Sequence, residues 1–106
     1  MDVAFHPAAE RELVAAVEYY NGIRNGLGLE FAVEAHAAVE HILAFPDAWG
    51  RLSKNTRRCL INRFPYGLIY STAGDKIFIL AVMHLNRTPR YWTRRKSEKD
   101  SIIKRR

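Results

Sequence analysis

An α+β fold is predicted: a small, mainly antiparallel sheet with an N-terminal two-helix hairpin packed on one face. Its element order is β-α-α-β-β-β, with a basic C-terminal segment beyond. Three observations predict it. Two apolar stripes of helical period fill the first half of the chain, a short glycine-containing turn joins them, and three strand-like runs fill the second half. The length of 106 residues allows one domain, assigned to residues 1–95, followed by a basic tail at residues 96–106.

Each element follows from local pattern. Met1 to Phe5 is short and alternating, which predicts an edge or first strand. Pro7 suits the first turn of a helix. From Ala8 to about Asn25, Ala9, Leu13, Ala16, Val17, Tyr20 and Ile23 recur at three- and four-residue spacing. Glu10, Glu12 and Glu18 mostly avoid this stripe, and Glu10 and Glu12 suit the positive end of the helix dipole. Asn25-Gly26-Leu27-Gly28 interrupts the pattern, and a second stripe from Leu29 to Phe45 (Phe31, Ala35, Ala38, Val39, Ile42, Phe45) ends at Pro46. So short a turn predicts an antiparallel hairpin, with Ala35, Ala37 and Ala38 allowing close approach. Strands are predicted at Thr56–Ile61, Gly67–Thr72 and Lys76–His84, the last two joined by a turn at Ala73-Gly74-Asp75. The run Ile77 to Met83 is apolar on both faces, so this strand is expected to be central and covered on both sides. Phe31, Ile42 and Leu80 are expected where the hairpin meets the sheet.

Charge is distributed unevenly. Residues 1–50 carry eight acids and two bases (−6), whereas residues 51–106 carry three acids and fifteen bases (+12). A domain so polarised suggests a C-terminal half that meets nucleic acid, an acidic protein surface or a neutralising partner; the plainer reading is a solvated basic face. The single cysteine, Cys59, excludes an intrachain disulfide and fits a reducing, cytoplasmic location. No stretch suits a membrane span, and Met1-Asp2 opens no signal-like segment.

Little catalytic chemistry is indicated. His36 and His41 are five apart on a helix, about 140° around its axis, so they form no chelating pair, and no metal or cofactor is expected. Cys59 reads as a core strand residue, and Glu10 and Glu12 as helix-end charges. One constellation remains: His84-x-x-Arg87-x-Pro89-x-Tyr91-Trp92-x-x-Arg95, directly after the apolar strand. With Arg57, Arg58 and Arg63 it sets cations near aromatic planes, which suits phosphate contact and stacking. His84 and Tyr91 have the chemistry for proton transfer. Equally, Tyr91 and Trp92 would serve to cover an open part of the core, with His84 a satisfied strand-end residue.

Those residues carry a resemblance. The element order, the run Phe64-Pro65-Tyr66-Gly67-Leu68-Ile69-Tyr70, then Ile79-Leu80-Ala81-Val82-Met83-His84 and the motif after it resemble the RelE/ParE superfamily, closer to the ParE branch. The superfamily comprises toxins of type II toxin–antitoxin (plasmid stabilisation) systems. The likeness extends over about residues 3–95. RelE-like members are ribosome-dependent mRNA endonucleases; ParE-like members poison DNA gyrase without a hydrolytic site. In RelE an arginine takes the second place of the Tyr-x-Leu-Val-Tyr strand and another follows the last strand. The aligned residues here are Gly67 and Leu85, while the C-terminal aromatic matches at Tyr91.

The resemblance therefore implies a growth-arresting toxin neutralised by a cognate antitoxin in a hetero-oligomer, acting on gyrase and not as an enzyme. Target contact is expected from Arg87, Tyr91, Trp92, Arg95, Arg58 and Arg63. The alternative is an mRNA endonuclease acting on the ribosome, with His84, Arg87 and Tyr91 as its catalytic groups. A further alternative is a non-toxic module that only binds antitoxin.

Overall fold

Pro7 sets the start of the first helix, because its ring holds φ near helical values and it has no N–H to leave unpaired. In the computed structural model, which describes residues 2–87 and 91–95, strand β1 (Asp2–Phe5) runs through His6 into helix α1 (Pro7–Ile23). The His6 Nδ1 accepts from the Ala8 N–H at 3.0 Å, so an imidazole caps the helix in the role usual for Ser or Asp. The basic tail at residues 96–106, and Pro89 within the motif, lie outside the described residues.

Gly26, at φ 90°, turns the chain into helix α2 (Leu27–Ala44). A Cβ on Gly28 would sit 2.4 Å from the Val17 carbonyl oxygen, so only glycine lets the start of α2 lie this close to α1. The Gly28 N–H donates to Asn21 Oδ1 at 2.8 Å, which satisfies one of the amides that a helix start cannot pair internally. The predicted hairpin is present, and α2 begins two residues earlier than its stripe suggests.

The remaining strands are β2 (Gly50–Arg51), β3 (Thr56–Leu60), β4 (Tyr66–Ala73) and β5 (Lys76–His84). They form one sheet in the order β1-β5-β4-β3-β2, with β1 parallel to β5 and the other pairs antiparallel. The mainly antiparallel α+β architecture is as expected, and β5 is an interior strand. Strand β2 is an addition; two residues are too few for periodicity to register.

The helices cover one face. Ala9, Ala16, Tyr20, Phe31, Ala35, Val39 and Ile42 pack against Cys59, Leu68, Tyr70, Ile77, Ile79 and Val82. Phe31 stacks on Tyr20 with centroids 5.4 Å apart and meets Tyr66 edge-on at 5.0 Å, so aromatic contacts close the hairpin end of the core. Ile23 and Phe45 depart from expectation: at 60% and 65% exposure, each sits at the C-terminal end of its helix.

Leu80 requires a correction. It is buried, but on the face away from the helices, with Ile69, Phe78, Ala81, Met83 and Trp92. Alternation from Ile77 and Ile79 on the helix face already turns Leu80 away with Phe78, and a β-bulge follows. Pairing of β4 with β5 passes from Ile69↔Ala81 to Tyr70↔Ile79, leaving Leu80 without a partner. Strict alternation would place Ala81 with Ile79, but the extra residue puts Leu80 and Ala81 on the same face.

Candidate functional site

The bulge also creates a problem of hydrogen bonding, and the C-terminal segment meets it. Strand β1 supports the adjacent edge of β5 only as far as Ile79, whose carbonyl accepts from the His6 N–H at 2.8 Å. Beyond that point the Val82 N–H donates to Glu12 Oε1, and the Leu80 carbonyl accepts from Arg95 Nη1, each at 2.9 Å. Arg95 also donates through both terminal nitrogens to the Glu12 carboxylate, at 2.9 Å each. Two side chains thus take over where the neighbouring strand ends, in the paired geometry that makes arginine–carboxylate contacts strong.

Tyr91 completes the arrangement. The Arg87 guanidinium carbon lies 4.0 Å from its ring centroid and that of Arg95 lies 5.0 Å away. Burial pushes the phenol well above its ordinary range, and the hydrogen bond to Glu12 acts in the same direction. Burial alone would raise the Glu12 carboxyl. The bonds from Arg95, the Val82 N–H and Tyr91 outweigh it and hold Glu12 below the usual carboxylate range. In return Arg95 is held charged, chiefly by its hydrogen bonds to Glu12.

Trp92 anchors the same segment. It is 4% exposed and covers the apolar face formed by Phe78, Leu80 and Met83. The stretch leading to it is tied at its start: the Leu85 N–H donates to the Pro65 carbonyl at 2.8 Å, and the Asn86 N–H to His84 Nδ1 at 3.0 Å. The His84 ring meets Tyr66 edge-on at 5.1 Å. Among the two readings of Tyr91 and Trp92 left open by their chemistry, core cover is what Trp92 does.

The expected target-binding residues are therefore divided. Arg87 and Tyr91 lie together, with Arg87 exposed and Tyr91 half-buried. Trp92 is buried, and Arg95 is paired with Glu12. Arg58 is half-buried and has its aliphatic stem over Gly67, where an added Cβ would come within 3.0 Å of its Cγ. Arg63 belongs elsewhere. It sits in the turn between β3 and β4 at φ 73° and pairs with Glu30 of α2 at 2.8 Å.

Cys59 is 1% exposed, and burial raises its thiol to about 11, so it is an un-ionised core residue and no nucleophile near neutrality. Sequence reasoning missed Glu12 altogether as a partner for the C-terminal segment. The available signal was its lack of an equally placed base on its own helix. That signal is weak, because an acid on a helix surface needs no partner when it is solvated. The structure also places Glu12 beyond the first turn of α1, which leaves Glu10 alone as a helix-end charge. Among the described residues, no three His, Cys, Asp or Glu side chains gather as a metal site, and no helix is long and apolar enough to cross a membrane.

A two-helix hairpin on a five-stranded, mostly antiparallel sheet is the fold of the ParE-like toxins. A solved structure described as "Chromosomal ParDE TA system from P. aeruginosa" superposes with a TM-score of 0.72 at 19% identity, covering 81% of this chain and 97% of that one. The sequence profile of the family described as "ParE toxin of type II toxin-antitoxin system, parDE" matches residues 3–89. The chain belongs to that family. No curated protein sequence matches it.

Proposed function

We propose that this toxin arrests growth in the cytoplasm by poisoning DNA gyrase, acts without a hydrolytic site, and is neutralised by a cognate antitoxin. The observation that carries the target reading is the state of Tyr91. Its phenol is pushed up by burial and by its hydrogen bond to Glu12, and two guanidinium groups lie against its ring. A group so placed is a poor proton donor or acceptor near neutral pH, and a good rigid platform for a cation that contacts a target. Arg87 and Tyr91 form the centre of that contact, and Trp92, Arg95 and Glu12 position them.

Antitoxin binding is supported by a groove of about 290 Å³ lined by Val3, Phe5, Leu13, Ala35, Val39 and Leu68. Apolar anchors of an otherwise acidic, disordered segment fit there, because such segments offset their ordering entropy mainly by apolar burial.

The endonuclease reading keeps one observation in its favour: the Arg58 stem over Gly67 delivers a cation to the sheet face that Trp92 covers. The test is purified protein in a gyrase supercoiling assay beside primer extension on cellular mRNA after induction. Inhibited supercoiling with intact mRNA is expected. Arg87→Ala should weaken inhibition with the fold intact, and His84→Ala should cause only a graded loss. Loss of a proton-transfer group from a nuclease would instead cost about 100- to 10,000-fold in rate. Unaffected supercoiling, with growth arrest abolished by His84→Ala, would overturn the gyrase reading.

A further inference from the structure

We propose that a polar pocket between the α2–β2 loop and the adjoining parts of β3 and β4 is a subsite for a backbone phosphate of nucleic acid. The pocket holds about 150 Å³ and every side chain lining it is polar. Three cations line it: Arg51 on β2, Lys54 in the loop after it, and Arg57 on β3. Arg51 and Arg57 stand directly opposite each other in the β2–β3 pair. Like charges so placed repel, and an anion between them removes the repulsion. Among the described residues neither Arg51 nor Lys54 has an ion-pair partner, and Asp47 is the one acid on the wall.

The site is braced before any ligand arrives. Arg57 Nη1 donates to the Trp49 carbonyl at 2.8 Å, which fixes the guanidinium and leaves its other N–H groups available. The Tyr70 hydroxyl donates to the Pro46 carbonyl at 2.6 Å and holds the loop to β4. Ser71 and Thr72 add hydroxyl donors. The volume falls below the roughly 300 Å³ at which pockets begin to enclose a drug-sized molecule. The aromatic lining residue, Tyr70, is fully buried and offers no face for stacking a base. A single phosphodiester fits these limits better than a nucleoside, and the +12 half of the chain suits a polyanion.

This site is separate from the Tyr91 platform. Arg57 and Arg58 are successive strand residues and project to opposite faces, Arg58 toward the face that Trp92 covers. The inference stands independently of gyrase, and its test contains none. Binding of a labelled duplex oligonucleotide by the purified protein is followed by fluorescence anisotropy across a salt series. Arg51→Ala and Lys54→Ala are compared with the charge-matched Arg11→Ala on exposed α1. Each pocket variant should lower affinity and reduce the log–log salt slope by about 0.9, the value of one lost phosphate contact, while Arg11→Ala changes neither. NMR titration should move the amides of residues 51–57 and 72 with the oligonucleotide. Equal effects of all three variants would show bulk attraction only and overturn the proposal. Saturable shifts with inorganic phosphate but none with the oligonucleotide would identify a free anion and overturn the phosphodiester assignment. So would a poly-glutamate peptide that binds as well as DNA.

Discussion

The two faces of the sheet are covered by different means. On one, α1 and α2 bury a continuous apolar stripe against Cys59 of β3, Leu68 and Tyr70 of β4, and Ile77, Ile79 and Val82 of β5. On the other, residues 91–95 place one indole over Phe78, Leu80 and Met83, held by a single carboxylate–guanidinium pair. The first cover is stabilised by area and resists local opening. The second depends on a few directed contacts around Glu12 and Arg95, so local opening is expected to reach it first. A toxin needs a fold that survives whatever its surface does, and this division of labour supplies it.

The comparison breaks most visibly through Phe31. Phe31 is fully buried between Tyr20, Phe64 and Tyr66, and Phe31→Ala removes contacts that both helices and the sheet share. A loss of about 3–5 kcal/mol is expected, a large part of the stability of a domain this size. Urea denaturation followed by circular dichroism measures it. An unchanged midpoint would show that the helical cover is not what holds the sheet.

How much of this was legible in the sequence also divides by face. The helix-covered face was readable because its residues recur at fixed spacing, so Ala9, Ala16, Phe31, Val39 and Ile42 announce themselves. The other face was not. Leu80 sits in an unbroken apolar run, and nothing in Ile79-Leu80-Ala81-Val82 marks where one residue drops out of register. The clamp was hidden for a different reason. Glu12 and Arg95 are 83 residues apart, and each has an adequate local explanation, as a helix-start acid and as one base among many. Trp92 drew notice by its residue type, but its burial depends on an apolar face that only the assembled sheet presents. Gly28 shows the reverse case: a turn glycine in the sequence, and in the structure also a point where α2 lies too close to α1 for a Cβ.

Glu12→Gln sharpens the comparison, because it should release the second cover and leave the first in place. The amide retains the shape but loses the charge that holds Arg95, at a cost of about 1.5–3 kcal/mol for hydrogen bonds to a charged group. Hydrogen exchange at Val82 should rise about 10- to 100-fold with helix amides unchanged. Acid should have the same effect. Folding lowers the Glu12 carboxyl below its ordinary 4.5, so the clamp is complete above that value and is lost as pH falls through the lower folded-state value. In a Trp49→Phe background, Trp92 fluorescence should shift to the red below about pH 4.5, the ordinary carboxylate value, before far-UV circular dichroism changes. A single coincident transition would mean that the two faces unfold together.

The smallest effect lies at Arg63, where the helical cover meets the β3–β4 turn. Two features act there in opposite senses. The guanidinium pairs with Glu30 at 2.8 Å, but both groups are solvent-exposed, where such pairs contribute little and are screened by salt. The backbone sits at φ 73°, where a Cβ is disfavoured and glycine is not. Arg63→Ala keeps the strained Cβ and loses the ion pair; Arg63→Gly loses both. The melting temperature of Arg63→Ala should therefore lie at or slightly below that of the parent, and that of Arg63→Gly above Arg63→Ala. The first difference should vanish in molar salt and the second should persist. A salt-insensitive drop in Arg63→Ala with no recovery in Arg63→Gly would instead assign Arg63 a packing role, through its guanidinium over the Phe64 ring, as part of the helix-face cover.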